Sequence, residues 1–81
     1  MIDKVEIAGI GSSVPEKVVT NFDLEKVVDT SDVWIKKRTG ISSRHVVTSE
    51  RSIDLAAAAA LKAIDHAGID GSDIGLIIGC T

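Results

Sequence analysis

The sequence predicts an α/β protein in which helices pack on a buried parallel sheet, and three observations point to this class. First, 44% of the 81 residues are hydrophobic, yet the chain has one Phe, one Trp and no Tyr, so its apolar content is almost entirely aliphatic. Second, residues 52–67 form an alanine-rich helical pattern with a start and a stop signal. Third, residues 74–80 are a continuous apolar run, which is typical of a strand buried on both faces.

A first strand is predicted over residues 4–10, where apolar and charged residues alternate before the pattern becomes small and apolar. The segment at residues 9–15 follows, and its glycines could bring backbone amides close to a phosphate. However, Val14 stands where the GxGxxG pattern needs its third glycine. We therefore predict a turn leading into Pro15 rather than a phosphate loop.

Between the two predicted strands the pattern indicates a short helix followed by a less regular segment. The helix is predicted over residues 22–28, with Thr20 or Asn21 as its N-cap and Phe22 in the core. Residues 41–49 show no clear period, so we expect a loop or an irregular extended segment there.

The segment at residues 29–41 holds the one Trp of the chain and predicts a second short helix, with start signals from Thr30 and a stop at Gly40. Thr30, Trp34 and Arg38 are spaced four apart, so a hydroxyl, an indole and a guanidinium share one helix face. An aromatic plane beside a cation can stack a base and hold a phosphate. The pattern therefore indicates a site for a nucleotide-bearing ligand; the alternative is a solvated helix end whose cations match the helix dipole.

The strongest helix is predicted after Ser52, its candidate N-cap, and ends before Gly68. Ile69 should pack back on Ile64 in a Schellman motif. Because the polar stripe of this helix is narrow, we expect the helix to be buried on most sides.

A turn at residues 71–73 leads into the apolar run at residues 74–80, which we predict to be a central strand. Strand, helices and strand should form a right-handed crossover with parallel strands. Two strands alone leave edges with unpaired amides, so another polypeptide or a longer protein is expected to complete the sheet.

Three residues, of types that often carry chemistry, are predicted to be structural here. His45 has no nucleophile nearby in sequence, and His66 lies in the last turn of a helix, where a surface position is favoured by the dipole. Cys80 lies at the end of an apolar strand rather than beside a cation or a helix N-terminus, so we expect a buried, unreactive thiol.

Composition excludes several classes of function. The net charge of -3 gives no basic surface for nucleic acid, and no apolar run is long enough to span a membrane. The N-terminus lacks the pattern of a signal peptide, so a cytoplasmic protein is expected. One Cys cannot form an internal disulfide, and no Cys/His cluster has metal-ligand spacing, so no metal is predicted.

Taken together, the motifs resemble the N-terminal segment of β-ketoacyl-acyl-carrier-protein synthase III, a condensing enzyme of bacterial fatty-acid synthesis. The resemblance covers the whole chain, and its most specific part is the run DTSDVWIKKRTGI at residues 29–41. The other matching pieces, in order, are GIGSSVPE at residues 9–16, TNFDL at 20–24, RH at 44–45, AGI at 67–69 and IGLI at 74–77. Their order and spacing carry the match.

The resemblance implies a thiolase-like fold with two similar α/β halves, usually assembled as a homodimer. Residues 1–81 would be the first strand-helices-strand portion of the N-terminal half. The residues matching Thr30, Trp34 and Arg38 would contact the adenine nucleotide end of coenzyme A. The expected partners are acyl-CoA as substrate, acyl carrier protein and the rest of the synthase chain, with no separate cofactor.

The reaction implied is a decarboxylative Claisen condensation of acyl-CoA with malonyl carrier protein, in which a Cys thiolate takes the acyl group. The family's catalytic Cys, His and Asn match none of Cys80, His45, His66 or Asn21, so no catalytic residue is expected in this chain.

Two alternatives remain open from the sequence. The chain could be a non-catalytic module that binds coenzyme A or a partner. Within the enzyme class, it could belong to a condensing enzyme of a polyketide or quinolone pathway. Nothing in the chain separates acetyl from longer or branched primers.

Overall fold

The computed structural model describes residues 4–80. Its regular elements are β1 (Lys17–Thr20), α1 (Asn21–Glu25), α2 (Asp32–Thr39), β2 (Ser43–Val46), α3 (Ser52–Ala67) and a 3₁₀ turn (Gly71–Asp73). These elements fall into two compact units. The hairpin unit is Val14–Arg51, and the helix unit combines residues 4–13 with residues 52–80.

The sheet of the hairpin unit is the antiparallel pair β1 and β2. Its register runs from Lys17 opposite Val46 to Thr20 opposite Ser43. Neither strand was predicted as such, and the expectation of a loop or irregular extended segment at residues 41–49 is wrong over β2. The four-residue strands are too short to show a clear alternation, and their pairing is a contact between distant parts of the chain.

Helix α1 begins with a capping box. The Asp23 backbone N–H donates to Thr20 Oγ1 at 3.1 Å, and the Thr20 backbone N–H donates to Asp23 Oδ2 at 2.9 Å. The hydrogen bond from the Thr20 backbone N–H, followed by the one from the Thr20 side chain, lowers the pKa of the Asp23 carboxyl. Thr20 is therefore the cap, as one of the two predictions had it, but the helix ends at Glu25 rather than at residue 28.

Phe22 is 59% exposed, so its predicted core position is wrong. The physical reason is that no hydrophobic side chain of residues 4–80 is buried, which leaves no core for Phe22 to enter. A second layer of secondary structure is what normally buries such residues.

Helix α3 ends as predicted, in a Schellman motif. The Ile69 N–H donates to the Ile64 carbonyl at 3.4 Å and the Gly68 N–H donates to the Asp65 carbonyl at 3.1 Å, with Gly68 at a φ of 70°. Ser52 is the first residue of the helix rather than the cap before it. The expected burial of the helix is wrong, since none of its residues is buried.

The segment at residues 9–12 lies against α3 at close range. The Ile10 N–H donates to His66 Nδ1 at 3.1 Å, and Lys62 Nζ donates to the Ser12 carbonyl at 3.1 Å. A Cβ placed on Gly9 would lie 2.6 Å from the Ala63 carbonyl oxygen. The glycines therefore allow a helix to approach, and the predicted turn at residues 9–15 is not formed.

The two predicted parallel strands are not paired in the part of the chain that the structure describes. Residues 4–10 and 74–80 belong to no sheet, so the expected crossover is absent there. Their apolar side chains are exposed, as Ile7 and Ile77 show at 84% each. A strand exists only where a neighbour pairs with its backbone, and residues 4–80 supply none to either segment. Within residues 4–80, no helix is long and apolar enough to cross a membrane.

Candidate functional site

The candidate site is built on α2, whose two ends are held by local interactions. At the start, Ser31 is the N-cap and its Oγ accepts a hydrogen bond from the Trp34 N–H at 3.1 Å. At the end, Gly40 adopts a left-handed conformation with a φ of 73°, and its N–H donates to the Lys36 carbonyl at 2.8 Å. The predicted start and stop of this helix are therefore confirmed.

Trp34 and Arg38 meet on one face of α2. The guanidinium carbon of Arg38 lies 5.3 Å from the centroid of the Trp34 ring, within the range of a cation–π interaction. The indole remains 55% exposed, so much of its surface is available to a ligand. The arrangement offers an aromatic plane and a fixed positive charge side by side.

A hollow of about 310 Å³ opens beside Trp34 and is lined by Asp29, Thr30, Ser31 and the indole. Thr30 lies before the N-cap of α2 and therefore outside the helix. The expectation that helical spacing puts it on one helix face with Trp34 and Arg38 is wrong. The turn before the cap nevertheless brings Thr30 to the same hollow as Trp34. Asp29 and Ser31 line it too, but neither shares the four-residue spacing, so the sequence pattern gives no signal for them.

The electrostatics of this surface are mixed. Arg38 and Lys37 lie in the last turn of α2, where cations interact favourably with the helix dipole. Lys36 is drawn to Asp32, with 3.4 Å between Lys36 Nζ and Asp32 Oδ2. Arg38, by contrast, lies over the indole that forms one wall of the hollow.

The two histidines contact backbone groups. His45 Nδ1 lies 2.7 Å from the Pro15 carbonyl, which can only accept, so this nitrogen carries the proton. His66 is exposed and its Nδ1 accepts from the Ile10 N–H, so it contacts the folded chain as well as solvent. These contacts agree with the structural roles predicted for both.

Cys80 is exposed, so the prediction of a buried thiol is wrong for this chain. The reason is that residues 74–80 pair with no strand and are covered by no second layer among the described residues. No group of three or more His, Cys, Asp or Glu within residues 4–80 is arranged to hold a metal ion.

Comparisons with known proteins agree with the sequence resemblance. The chain is 54% identical over 78 residues to the β-ketoacyl-acyl-carrier-protein synthase III of Campylobacter fetus subsp. fetus (strain 82-40), a match that covers 96% of this chain and 24% of that enzyme. The chain thus spans about a quarter of the length of the curated relatives it matches. No protein-family model matches it. The recognition made from the motifs is confirmed.

Solved structures give the same result. The crystal structure of 3-oxoacyl-acyl-carrier-protein synthase III from Aquifex aeolicus VF5 superposes with a TM-score of 0.74 at 47% identity, covering 79% of this chain and 21% of that one. The priming β-ketosynthase of the R1128 polyketide pathway gives a TM-score of 0.77 at 34% identity, covering 85% and 21%. The predicted fold class, a portion of a thiolase-like α/β fold, is confirmed by these matches.

Proposed function

We propose that this chain, which is similar over nearly its whole length to part of β-ketoacyl-acyl-carrier-protein synthase III, is a portion of an initiating condensing enzyme. The complete protein would join acyl-CoA to malonyl-acyl-carrier protein by decarboxylative Claisen condensation. This chain's own contribution would be to bind the nucleotide end of coenzyme A. Acyl-CoA, acyl carrier protein and the rest of the synthase chain would be its partners, in a cytoplasmic homodimer.

One observation carries the binding proposal: the Arg38 guanidinium stands 5.3 Å from the exposed Trp34 ring, beside a hollow that Thr30 also lines. Adenine presents a flat π face that an exposed indole can stack, an interaction worth about 1–3 kcal/mol per base. The phosphates of coenzyme A are anionic, and a guanidinium can donate two parallel hydrogen bonds to a phosphate. The Thr30 hydroxyl can donate or accept at the edge of the same ligand.

The face lacks groups for the condensation itself. A thioester exchange needs a thiolate and a proton carrier within reach of the acyl carbon. The hollow beside Trp34 is lined by carboxylate, hydroxyl and indole groups instead. This supports a division in which the chain holds the carrier end of the substrate and the catalytic Cys, His and Asn lie in other parts of the enzyme.

Trp34 is the one Trp in a chain without Tyr, so intrinsic fluorescence reports on the proposed site directly. Titration of the 81-residue chain with coenzyme A should quench this emission saturably, because adenine stacks on the indole. The short thioester N-acetylcysteamine acetate, which lacks the nucleotide, should leave the emission unchanged. Equal responses to both ligands would contradict the assignment.

Arg38→Ala tests the phosphate contact, and Lys37→Ala is its matched control because it removes a neighbouring cation that does not contact the indole. The first change should weaken coenzyme A binding by about 1.5–3 kcal/mol, the range for hydrogen bonds to charged groups. The second should change it by no more than about 0.5 kcal/mol. Equal effects would mean that overall charge, not the Arg38 position, attracts the ligand.

Trp34→Ala, measured by calorimetry since it removes the fluorophore, should weaken binding by about 1–3 kcal/mol. Val33→Ala is the control, because Val33 is 76% exposed and adjacent in the helix. If Trp34→Ala binds coenzyme A as tightly as the original chain, the indole has a role in packing rather than in ligand binding.

The enzymatic part of the proposal needs a separate test. A chimera in which this chain replaces the matching quarter of the Campylobacter fetus enzyme should condense acetyl-CoA with malonyl-acyl-carrier protein. A folded but inactive chimera that still binds coenzyme A would favour a non-catalytic binding module.

A second enzyme function has one observation in its favour: the structural similarity to the priming ketosynthase of a polyketide pathway at 34% identity. An assay of the complete enzyme that carries this segment, with acetyl-CoA and with longer and branched acyl-CoA primers, distinguishes the two. A preference for longer primers would favour the polyketide assignment.

A further inference from the structure

Asn21 is the fully buried residue of the hairpin unit, and every polar group of its side chain is used. Its relative exposure is 0%, in a chain where the described hydrophobic side chains are all at least partly exposed. Its side-chain Nδ2 donates to Asp32 Oδ1 at 2.9 Å and to the Ile41 carbonyl at 2.7 Å. Its Oδ1 accepts from Arg44 Nη2 at 2.7 Å.

The orientation of this amide is fixed by its neighbours. The two groups facing Nδ2, a carboxylate and a carbonyl, can only accept, and the guanidinium facing Oδ1 can only donate. Reversing the amide would set oxygen against oxygen and nitrogen against nitrogen. One conformation of Asn21 therefore satisfies all three partners.

The two acceptors come from the residues that begin and follow α2. Asp32 is the first residue of the helix, and Ile41 follows the left-handed Gly40 that ends it. Because both acceptors bond the same nitrogen, the chain after Gly40 returns close to the Asp32 carboxylate, and a single amide group holds the entry and the exit of the helix together. Trp34 and Arg38 stand on the part of the helix between these two anchors.

The other side of Asn21 is held to the sheet. Arg44 lies on β2, and its Nη1 donates to the Val19 carbonyl of β1 at 3.2 Å while its Nη2 reaches Asn21. The Asn21 backbone N–H donates to the Ser42 carbonyl at 3.0 Å. The network therefore connects both strands to both ends of α2.

We infer that Asn21 is a positioning residue for the face that carries Trp34 and Arg38: its amide fixes α2 at both ends relative to the β1–β2 pair. This inference rests on the proposed function for its link to coenzyme A, but the position of the face can be measured without any ligand. The Asn21 amide is fully buried, so the loss of its partners is costly because it cannot turn to water instead. Altering the amide should therefore let α2 shift or tilt.

The direct test is Asn21→Asp in the full chain, which keeps the shape of the side chain but replaces both donors with acceptors. The new oxygen would face the Asp32 carboxylate and the Ile41 carbonyl. In a variant that keeps its far-ultraviolet circular dichroism, we expect the orientation of α2 relative to the β1–β2 pair to change, as measured by residual dipolar couplings of the backbone N–H groups. Coenzyme A binding, followed by Trp34 fluorescence, should weaken about tenfold or more, as misplaced binding groups do.

Glu50→Gln is the control for general loosening, because Glu50 accepts from backbone N–H groups of Glu16 and Thr48, away from α2. It should leave the orientation of α2 relative to the β1–β2 pair unchanged and the affinity within about twofold of the original chain. If Glu50→Gln lowers the affinity as much as a folded Asn21→Asp does, or if a folded Asn21→Asp keeps both the orientation of α2 and the affinity, the positioning role is overturned.

A second pair of variants decides the case even if Asn21→Asp does not fold. Asp32→Asn and Asp32→Ala both remove the charge and the ion pair with Lys36, but only the first keeps an oxygen to accept from Asn21. Asp32→Ala should change the orientation of α2 relative to the β1–β2 pair and reduce coenzyme A affinity about threefold or more relative to Asp32→Asn. Because alanine is the better helix former, helix propensity acts against this result. Equal behaviour of the two variants overturns the inference.

The outcomes separate the inference from the proposed function. If the original chain gives no fluorescence response to coenzyme A, the ligand assignment fails, while the orientation of α2 relative to the β1–β2 pair still tests the role of Asn21. If the original chain responds and the altered chains respond equally with the orientation of α2 unchanged, the ligand assignment stands and the role of Asn21 fails.

Discussion

Gly11→Ala should destabilise the helix unit, because α3 approaches this glycine too closely for a side chain. A Cβ on Gly11 would lie 2.5 Å from the Ala59 carbonyl oxygen, 2.6 Å from the Ala63 nitrogen and 2.7 Å from Lys62 Cβ. Two of these atoms are helix backbone, which cannot turn aside as the end of a long side chain could. The segment must therefore move away from α3 or the helix must bend.

The size of the effect follows from two opposing terms. Forcing an extra methyl group into a packed contact costs about 1–3 kcal/mol. Replacing glycine by alanine also restricts the unfolded chain, which returns about 0.4–1 kcal/mol where the native backbone suits alanine. The steric term is the larger, so we expect a net loss of about 1–2 kcal/mol in the free energy of unfolding.

The assay is urea unfolding followed by circular dichroism at 222 nm, since α3 is the longest helix of the described chain. Trp34 lies in the hairpin unit, so its fluorescence serves as an internal reference that should change little. Gly79→Ala is the matched control, because a Cβ there meets no atom within 4 Å. If Gly11→Ala and Gly79→Ala unfold at the same urea concentration, the close approach has no energetic weight and the reasoning fails.

Three further predictions concern the hairpin unit. Gly40→Ala should destabilise α2 by about 1–2 kcal/mol through its positive φ alone, since a Cβ there meets nothing within 4 Å; Gly71→Ala is the control, and equal unfolding midpoints would contradict this. Ser31→Ala should cost about 1 kcal/mol in thermal unfolding by Trp34 fluorescence, because the Trp34 N–H loses its cap; an unchanged midpoint would refute the cap. Backbone N–H groups, first that of Glu16, lower the pKa of Glu50 from 4.5 to about 2. The stabilisation of the folded chain by ionised Glu50 is therefore complete above about pH 4.5 and is lost as pH falls through about 2. Glu50→Gln should flatten the curve of unfolding against pH in that window. Identical curves for the variant and the original chain would contradict this prediction.

What could be predicted from sequence was set by short-range chemistry. The ends of α2 were predicted correctly because Ser31 and Gly40 form hydrogen bonds with backbone groups within four residues of themselves. The end of α3 at Gly68 was correct for the same reason. Such signals need no knowledge of the remaining chain. One wall of the hollow beside Trp34 could be predicted for this reason, because α2 supplies it.

The strands and the burial of side chains depend on partners far away in sequence, and there the predictions failed. The apolar run at residues 74–80 has the composition of a buried strand, and a central strand was predicted there. A strand also needs a neighbour that pairs with its backbone, and residues 4–80 offer it none. The exposure of Phe22 and Cys80 has the same origin. The pairing of β1 with β2 was not predicted, because a four-residue segment is too short to show a strand pattern or to indicate its partner.

Asn21 shows a third kind of limit, in which the most buried residue is invisible to pattern analysis. Its role depends on three partners, at Asp32, Ile41 and Arg44, that lie 11, 20 and 23 residues away. Polar residues near a helix start are ordinarily interpreted as caps, and the pattern indicated no positioning role for Asn21. Here the neighbouring Thr20 caps α1, which leaves the Asn21 amide free to hold α2. The face of Trp34 and Arg38 could thus be predicted from the sequence of α2 alone, whereas the position of α2 depends on Asn21, which lies outside that helix.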